Sequence, residues 1–364
     1  MNYCEKIRYR IFATGKDSFP LMVDRLLDQL PEGEQVLRLA FFGTPSSNDE
    51  YLTRRVILKE KISVRCGGRK PALSYVSQPP LNAPLIMEVH SIVSDETDKI
   101  TYKRFRDYHY TLVENDEGRF LFAGGIQSDI TAESIGQQSI EIFRQAGELL
   151  NLEGFPIESI IRQWNYIEQI TGGSDGNQNY QSFNNARSDF YAKAAWTNGY
   201  PAATGIGTNL GGVVVDLDAA LFTSKEAFAT PIDNPLQIAA HAYSEDVLQM
   251  ASAQKTTPKF ERAKSMTFGQ RRLIHLSGTA AIRGEESLKD TGLEHQLRVT
   301  MENISHLTGK AKPVLLRVYL KNKADYKPAE QLINTYHLSI PVSYMCADVC
   351  RDELLIEIEG IAIE

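Results

Sequence analysis

The stretch Cys350-Arg-Asp-Glu-Leu-Leu-Ile-Glu-Ile-Glu-Gly-Ile-Ala alternates between two sets of residues near the end of the chain. From residue 354 to residue 361, leucine, isoleucine and glycine occupy the even-numbered positions, and Glu357 and Glu359 occupy odd-numbered ones. A period of two residues is typical of a β-strand, whose successive side chains point to opposite faces of the sheet. The sequence therefore predicts a strand with one apolar face and two carboxylates on the other.

The same pattern occurs twice earlier in the chain. Residues 211–220 place Asp216 and Asp218 where the last strand has its two glutamates, and residues 83–90 place Glu88 in a comparable position. Each copy follows a segment that begins with proline, at Pro71, Pro201 and Pro341. Because units that resemble one another along a chain indicate an array of similar modules, we predict a protein built from repeated units.

Helical periodicity supports this organisation and predicts an α+β protein. Helices are predicted over residues 17–30, 134–150, 180–197, 291–308 and 325–335. The polar stretch 45–70 is predicted to hold only a short strand at residues 55–58, so the first unit is interpreted as truncated. The predicted domains are a truncated module at 1–110, a complete module at 111–225, a connecting segment at 226–271 and a C-terminal module at 272–364. Each complete module should place its helices on one face of a mixed sheet.

Composition excludes several classes of protein. The chain has 364 residues and a net charge of −7, which argues against a general nucleic-acid or anionic-membrane surface. No apolar run approaches the ~18 residues that a membrane-spanning helix needs. The four cysteines form no C-x-x-C pair, so the sequence predicts neither a zinc site nor a disulfide framework. We therefore expect a cytoplasmic protein without a metal or another cofactor.

Several short motifs carry a resemblance to a known superfamily. Ser277-Gly-Thr-Ala-Ala-Ile, Arg317-Val-Tyr-Leu and Ile356-Glu-Ile-Glu-Gly-Ile-Ala occur in the order found in the YjgF/RidA superfamily. The resemblance covers residues 273–364 and implies tandem YjgF/RidA-like modules. The RidA-type imine deaminases carry an arginine shortly after the proline of the penultimate strand. Val342 and Ser343 stand there in this chain, which argues against RidA-type imine or enamine hydrolysis.

Nearly the whole chain resembles a narrower group, the chorismatases. The matching segments are Ser74-Tyr-Val-Ser-Gln-Pro-Pro-Leu, Tyr180-Gln-Ser-Phe-Asn-Asn-Ala-Arg, Tyr200-Pro-Ala-Ala-Thr-Gly-Ile-Gly, Phe260-Glu-Arg-Ala and Ala347-Asp-Val-Cys-Arg-Asp-Glu-Leu-Leu-Ile-Glu. The resemblance implies an enzyme that cleaves chorismate, releasing pyruvate and leaving a hydroxybenzoate or a dihydroxycyclohexadiene carboxylate. A monomer and a homotrimer are both compatible with it. A RidA-like imine hydrolase and a non-catalytic binder of small metabolites remain as alternatives.

The chemistry of chorismate selects candidate residues for the reaction. Cleavage of an enol ether begins with protonation of its methylene carbon, which needs an acid of raised pKa. A carboxyl group desolvated on the inner side of a sheet becomes such an acid. The resemblance implies that Glu357 is this acid, and Glu359 on the same face is the alternative. On the residues alone, a structural glutamate on a half-solvated sheet is the more common explanation.

The two carboxylates of chorismate require fixed cations, and arginine supplies paired donors for them. Arg187 is the first candidate, and Arg317 on a predicted strand is the second. Tyr191 lies one helical turn after Arg187 and is expected to share its face unless it serves only for packing. Thr204-Gly-Ile-Gly lacks the spacing and the following helix of a dinucleotide site. Thr204 and Gly205 are instead expected to bring the backbone close to the substrate.

Two positions bear on the product, and they conflict. Cys350 resembles the chorismatases that form 3-hydroxybenzoate, whereas Ala263 in the Phe260-Glu-Arg-Ala segment resembles the hydrolysing group. Cysteine is most often a small buried hydrophobic residue. We predict 3-hydroxybenzoate as the product, while 4-hydroxybenzoate and the dihydroxydiene acid remain open.

Overall fold

The computed structural model describes residues 1–131, 133–174, 177–244 and 256–364. Its strands form three main sheets, and each sheet is built from one continuous part of the chain. No helix in these ranges is both long enough and apolar enough to cross a membrane.

The first sheet is formed by residues 3–92 and has four strands in the order β1-β4-β2-β3. Its elements are α1 Tyr3–Lys6, β1 Ile7–Thr14, α2 Phe19–Leu27, β2 Gln35–Gly43, α3 Asn48–Cys66, β3 Ala72–Val76 and β4 Leu85–Ile92.

The second sheet has six strands in the order β11-β8-β12-β7-β6-β5. Its part of the chain comprises β5 Lys99–Phe105, β6 Tyr108–Asn115, β7 Gly118–Ile126, α4 Ile135–Leu152, β8 Ile160–Glu168, β9 Gly173–Ser174, β10 Asn177–Gln178, α5 Asn179–Tyr191, β11 Ala202–Thr208 and β12 Val213–Phe222. The short strands β9 and β10 pair with each other.

The third sheet also has six strands, in the order β13-β14-β15-β20-β18-β19. Its part of the chain comprises β13 Ala227–Ile232, β14 Ala263–Phe268, β15 Arg271–Ala280, β16 Ile282–Arg283, β17 Glu286–Ser287, α6 Leu293–Thr308, β18 Lys312–Leu320, α7 Tyr326–Asn334, β19 Val342–Cys346 and β20 Ile356–Ile363.

The three sheets repeat one arrangement. The orders β1-β4-β2-β3, β7-β12-β8-β11 and β15-β20-β18-β19 correspond strand by strand. In each sheet only the last pair is parallel, and the preceding pairs are antiparallel. Two helices connect the strands in every repeat, so the first unit contains the complete core arrangement. It lacks only the outer strands that extend the other two sheets.

The prediction of a short strand at residues 55–58 is wrong, because these residues lie within the 19-residue helix α3. This helix buries only Tyr51, Leu58 and Ile62. So few apolar positions among many charged residues leave a weak periodicity in the sequence. The helix is nevertheless defined at its start, where the Ser47 hydroxyl accepts a hydrogen bond from the backbone N–H of Glu50.

The limits of the sheets differ from the predicted limits of the domains at two places. β5 lies within the predicted first module, but it pairs with β6 of the second sheet. The predicted connecting segment contains two edge strands of the third sheet, β13 and β14, and its residues 245–255 lie outside the described part of the chain. The division into domains therefore remains a prediction.

Each sheet carries its helices on one face, which confirms the predicted mixed α+β architecture. Separate apolar clusters form beneath α2 and α3, beneath α4 and α5, and beneath α6 and α7. The opposite faces of the three sheets pack against one another. At their centre Arg38, Arg162 and Arg317 lie within 4.8, 4.5 and 5.5 Å of the Trp164 ring. These three arginines come from the equivalent strands β2, β8 and β18.

Candidate active site

A cavity of about 810 Å³, including its open mouth, lies between the second and third sheets. Helix α5 and strand β11 form one side, and strands β15 and β20 form the other. Its lining combines apolar side chains with a few polar groups, which is typical of a site for a small molecule. The residues used below are Tyr180, Asn184, Gly205, Phe260, Arg262, Gly278, Cys350, Arg351 and Glu357.

Glu357 lies on the inner face of β20 and is 5% exposed. The register between β15 and β20 shifts between Leu276 and Thr279, so that Ser277 and Gly278 form a bulge. The Glu357 carboxyl group lies directly over this bulge. A Cβ atom added at Gly278 would come within 2.1 Å of the Glu357 Oε1 atom. The position of this carboxyl group therefore depends on a glycine at residue 278.

The surroundings of Glu357 favour its protonated form. Burial, and then the nearby Glu359 carboxylate, raise the pKa of Glu357 to about 8, although Arg162 and Arg262 oppose the shift. Among the described residues, no side chain donates a hydrogen bond to the Glu357 carboxyl group. A carboxyl group with this pKa is largely protonated at neutral pH and can act as a general acid.

Glu359 occupies a different environment on the same strand. Its carboxylate accepts hydrogen bonds from the Arg317 Nη1 atom at 3.1 Å and from the Tyr319 hydroxyl at 2.6 Å. It also contacts the Arg162 guanidinium and the Thr204 hydroxyl. This carboxylate is paired at the centre of the protein and does not line the cavity. Of the two predicted candidates, the geometry therefore favours Glu357 as the proton donor.

Three arginines lie at or behind the cavity without a carboxylate partner among the described residues. Arg262 donates to the Ile238 carbonyl at 2.8 Å and contacts the Tyr243 hydroxyl. Arg351 donates to the Glu285 carbonyl at 2.9 Å and also to a serine hydroxyl.

The third is Arg187, which is 1% exposed and lies behind the cavity wall. Its guanidinium donates to the Asn184 side-chain oxygen at 2.6 Å, and Asn184 itself lines the cavity. Burying cations with only neutral partners is costly unless an anion joins them. All three positions therefore favour a negatively charged ligand.

The predicted residues divide into three groups in the structure. Glu357, Cys350 and Gly205 line the cavity. Thr204 and Tyr191 lie behind the wall. The Thr204 hydroxyl accepts hydrogen bonds from Gly278 N–H at 3.1 Å and from an arginine, so it supports the bulge and does not face the cavity. The Tyr191 hydroxyl donates to the Gln163 side chain at 2.6 Å, and its ring packs between other aromatic rings.

Two predicted substrate contacts lie elsewhere in the structure. The Arg317 guanidinium pairs with Glu88 at 2.5 Å and with Glu359 at 3.1 Å, so its charge is already compensated. Ala263 is fully buried in the apolar cluster beneath α6 and α7. Neither residue is on the cavity wall, because the inner face of β18 turns towards the centre of the protein and the Ala263 side chain turns towards the helices.

Cys350 is placed beside the acid by a segment that runs along β11. The Gly207 N–H donates to the Asp348 carbonyl at 2.8 Å, which fixes this segment against the second sheet. Burial, followed by the charge of Glu357, raises the pKa of the Cys350 thiol to about 12. The thiol is therefore neutral at physiological pH and does not act as a thiolate nucleophile.

The sequence did not single out Arg262, Arg351, Tyr180 or Asn184. All four lie within segments that carried the family resemblance, and Arg262 and Arg351 are adjacent to the chosen residues Ala263 and Cys350. The Tyr180 ring covers Gly205, where an added Cβ would come within 2.7 Å of the ring atom Cε2. Among the described residues, no group of three or more His, Cys, Asp or Glu side chains is arranged to hold a metal ion.

The chain is similar to several known proteins. The family model "Chorismatase FkbO/Hyg5-like, N-terminal" matches residues 89–219. A protein of Streptomyces hygroscopicus named 3-hydroxybenzoate synthase is 28% identical over 233 residues, which cover 58% of this chain and 66% of that relative. A protein of Streptomyces rapamycinicus named chorismatase is 25% identical over 287 residues, covering 74% of this chain and 78% of the relative.

The predicted resemblance to the chorismatases is confirmed. The fold agrees as well, because a chorismatase crystal structure superposes with a TM-score of 0.72 over 98% of both chains at 20% identity. The match therefore extends over all three sheets, beyond the segment that the family model covers.

Proposed function

We propose that this protein cleaves the enolpyruvyl ether of chorismate and releases pyruvate, with Glu357 as the general acid. The observation that carries this proposal is the buried Glu357 carboxyl group, whose pKa is raised to about 8. It shares a cavity with Arg262 and Arg351, which have no carboxylate partner among the described residues. The relatives named chorismatase and 3-hydroxybenzoate synthase support the choice of substrate.

The charges in the cavity suit a substrate with two carboxylates. Arg262 and Arg351 each bring a positive charge to the wall, while Glu357 is neutral in its protonated form. A dianion such as chorismate compensates both charges. Arg187 is proposed to act through Asn184, which it holds in place on the wall. When Glu357 gives up its proton, the carboxylate that forms is stabilised by the nearby Arg162 and Arg262.

The proposed reaction begins with transfer of the Glu357 proton to the methylene carbon of the enol ether. The ether carbon then carries positive charge, and two routes lead to pyruvate. Water can add to this carbon, which leaves the dihydroxydiene acid. Alternatively, the neighbouring ring hydroxyl can displace the side chain, and the resulting epoxide opens to a hydroxybenzoate. The second route consumes no water overall and requires that water be excluded from the ring.

The direct experiment is to incubate the purified protein with chorismate, measure pyruvate with a coupled lactate dehydrogenase assay, and identify the ring product by chromatography. We expect stoichiometric pyruvate and one ring product. If chorismate remains unchanged under conditions in which the protein is folded, the proposed function is wrong.

Replacing Arg351 by methionine is expected to raise KM for chorismate about tenfold or more. A hydrogen bond to a charged group contributes roughly 1.5–3 kcal/mol, and methionine preserves much of the apolar side-chain length. Arg298→Met is the matched control, because Arg298 is exposed on α6, away from the cavity lining. Equal KM values for the two variants would remove Arg351 from substrate binding.

Replacing Cys350 by alanine is expected to change the amount or identity of the ring product. We propose that its neutral, polarisable thiol guides the opening of the epoxide towards 3-hydroxybenzoate. Cys346→Ala is the control, since Cys346 lies on β19 and does not line the cavity. Chromatography of the products tests this role. An unaltered hydroxybenzoate from Cys350→Ala, or only the dihydroxydiene acid from the wild type, would contradict it.

A further inference from the structure

The boundary between the first and second sheets repeats the geometry of the candidate active site. There the register between β7 and β12 shifts between Val215 and Leu217, which leaves Gly124 and Gly125 in a bulge. This bulge approaches β3 of the first sheet, just as the bulge at Gly278 approaches β11. An added Cβ at Gly125 would come within 2.5 Å of the Leu73 carbonyl oxygen.

A second cavity of about 400 Å³, including its open mouth, lies at this boundary, beneath α3. Helix α3 takes the place that α5 has at the first cavity. In chain order, each of these helices connects the second and third of the four core strands of its sheet. Apolar side chains and tyrosine rings form much of its wall, including Leu58, Leu73, Tyr75, Tyr108 and Val214. This lining provides a surface for a flat ring.

Asp216 is the residue equivalent to the proposed acid Glu357, and it is hydrogen-bonded behind the wall of this second cavity. Asp216 lies opposite Trp164 on its sheet, as Glu357 lies opposite Tyr319. Its carboxylate accepts hydrogen bonds from the Ser74 hydroxyl at 2.6 Å and from Gly125 N–H at 2.7 Å. Both hydrogen bonds go to the Oδ1 atom and hold the Asp216 carboxyl group in the bulge, so the described lining of the cavity includes no carboxyl group. The second cavity therefore suits binding rather than the proposed reaction.

Two polar groups in this cavity lack a partner within the described part of the chain. The Tyr108 hydroxyl has no hydrogen bond, although the residue is only 6% exposed. The Gln127 side-chain oxygen is also buried without a partner. Leaving such groups unsatisfied costs free energy that a polar ligand would recover.

The cavity wall also carries positive charge. Arg55 forms no ion pair with any described carboxylate and lies 6.0 Å from the centre of the Tyr51 ring. Lys59, which also lines the wall, pairs with the largely exposed Asp107. Neither Asp216 nor Glu168, the two acidic residues near Tyr51, lines the cavity. An anion is therefore favoured near Arg55, with the apolar part of the ligand directed inwards.

We propose that this second cavity binds a small aromatic monocarboxylate. Its ring would lie among the tyrosine and aliphatic side chains, and its carboxylate would pair with Arg55. A ring hydroxyl would supply the partner that Tyr108 lacks. This site is separate from the cavity of the proposed reaction, so its existence does not depend on the cleavage of chorismate.

The test is titration of 3-fluorobenzoate into the full-length protein, followed by ¹⁹F NMR and calorimetry. We expect saturable binding that Arg55→Met weakens about tenfold or more, because the variant loses a charge-assisted hydrogen bond. Arg65→Met on the same helix is the matched control, since Arg65 is exposed and does not line the cavity. Tyr108→Phe should weaken 3-hydroxybenzoate while leaving 3-fluorobenzoate less affected.

Repeating the titration with Glu357→Gln distinguishes binding at the second cavity from binding at the first. This variant should retain the 3-fluorobenzoate binding that Arg55→Met removes. Equal affinities for wild type and Arg55→Met would overturn the proposal, as would equally tight binding of neutral 3-fluorobenzyl alcohol. The absence of saturable binding up to millimolar ligand would overturn it as well. Circular dichroism of each variant shows that the protein remains folded.

Discussion

Replacing Glu357 by glutamine is expected to reduce kcat for pyruvate release by about 10²- to 10⁴-fold, the usual contribution of a general acid. The amide keeps the shape of the side chain but cannot supply the proton. Since Glu357 is buried without a hydrogen bond from the described side chains, the substitution breaks no such contact. The measurement is pyruvate formation from chorismate at saturating substrate. Near-normal turnover would exclude Glu357 as the acid.

The pH dependence gives this variant an internal control. Because only the protonated carboxyl is an acid, kcat/KM of the wild type should fall as pH rises above about 8. The folded state also holds a proton between the ordinary pKa of 4.5 and the folded pKa of about 8, whereas the unfolded state has lost it. The free energy of unfolding of the wild-type protein therefore falls as pH rises from about 4.5 to about 8.

The glutamine variant has no titrating carboxyl group at residue 357. Its free energy of unfolding should therefore not show the part of the decline that Glu357 causes. Urea denaturation of both proteins at pH 5 and pH 8 compares the two slopes. Relative to the wild type, Glu357→Gln should become more stable as pH increases. Parallel stability profiles would show that the carboxyl does not have the raised pKa on which its role depends.

Replacing Gly278 by alanine is expected to lower kcat about 100-fold while the protein remains folded. The added methyl group would stand 2.1 Å from Glu357 Oε1 and 2.8 Å from its Cδ, so the carboxyl group must leave the bulge. A displacement of about 1 Å at a reacting group can cost this much. Pyruvate release and thermal denaturation should be measured together.

The matched control for this substitution is Gly15→Ala, because an added Cβ at Gly15 meets nothing within 4 Å. We expect the control to retain activity. A small loss of stability from overpacking, about 1–3 kcal/mol, is expected for Gly278→Ala. Full activity in Gly278→Ala would mean that the reaction does not require the carboxyl group in its present position.

The architecture was largely predictable from local sequence. The alternation of residues 354–361 predicted the terminal strand, and the earlier copies of its pattern predicted repeated units. These features depend on neighbouring positions, which is why they are visible without a structure. Helix α3 was missed for the same reason, because only three of its residues are buried and its apolar signal is weak.

The candidate site could be predicted only in part. The family resemblance indicated Glu357 and Cys350, and both line the cavity. The choice between Glu357 and Glu359 required tertiary contacts, since both occupy the same face of one strand. Arg162, 197 residues away in sequence, pairs with Glu359. The bulge at Gly278 leaves the Glu357 carboxyl in the cavity wall instead.

The sequence by itself determined the repeated strands, the one-sided helices and the resemblance to the chorismatases. Tertiary structure alone decided which charges are compensated. Arg317 pairs with Glu88, 229 residues away, whereas Arg262 and Arg351 meet only neutral partners among the described residues. Such pairing depends on how separate sheets meet at the centre of the protein, and the order of residues along one strand carries no record of it. For that reason the arginines proposed to bind substrate became apparent only in the folded protein.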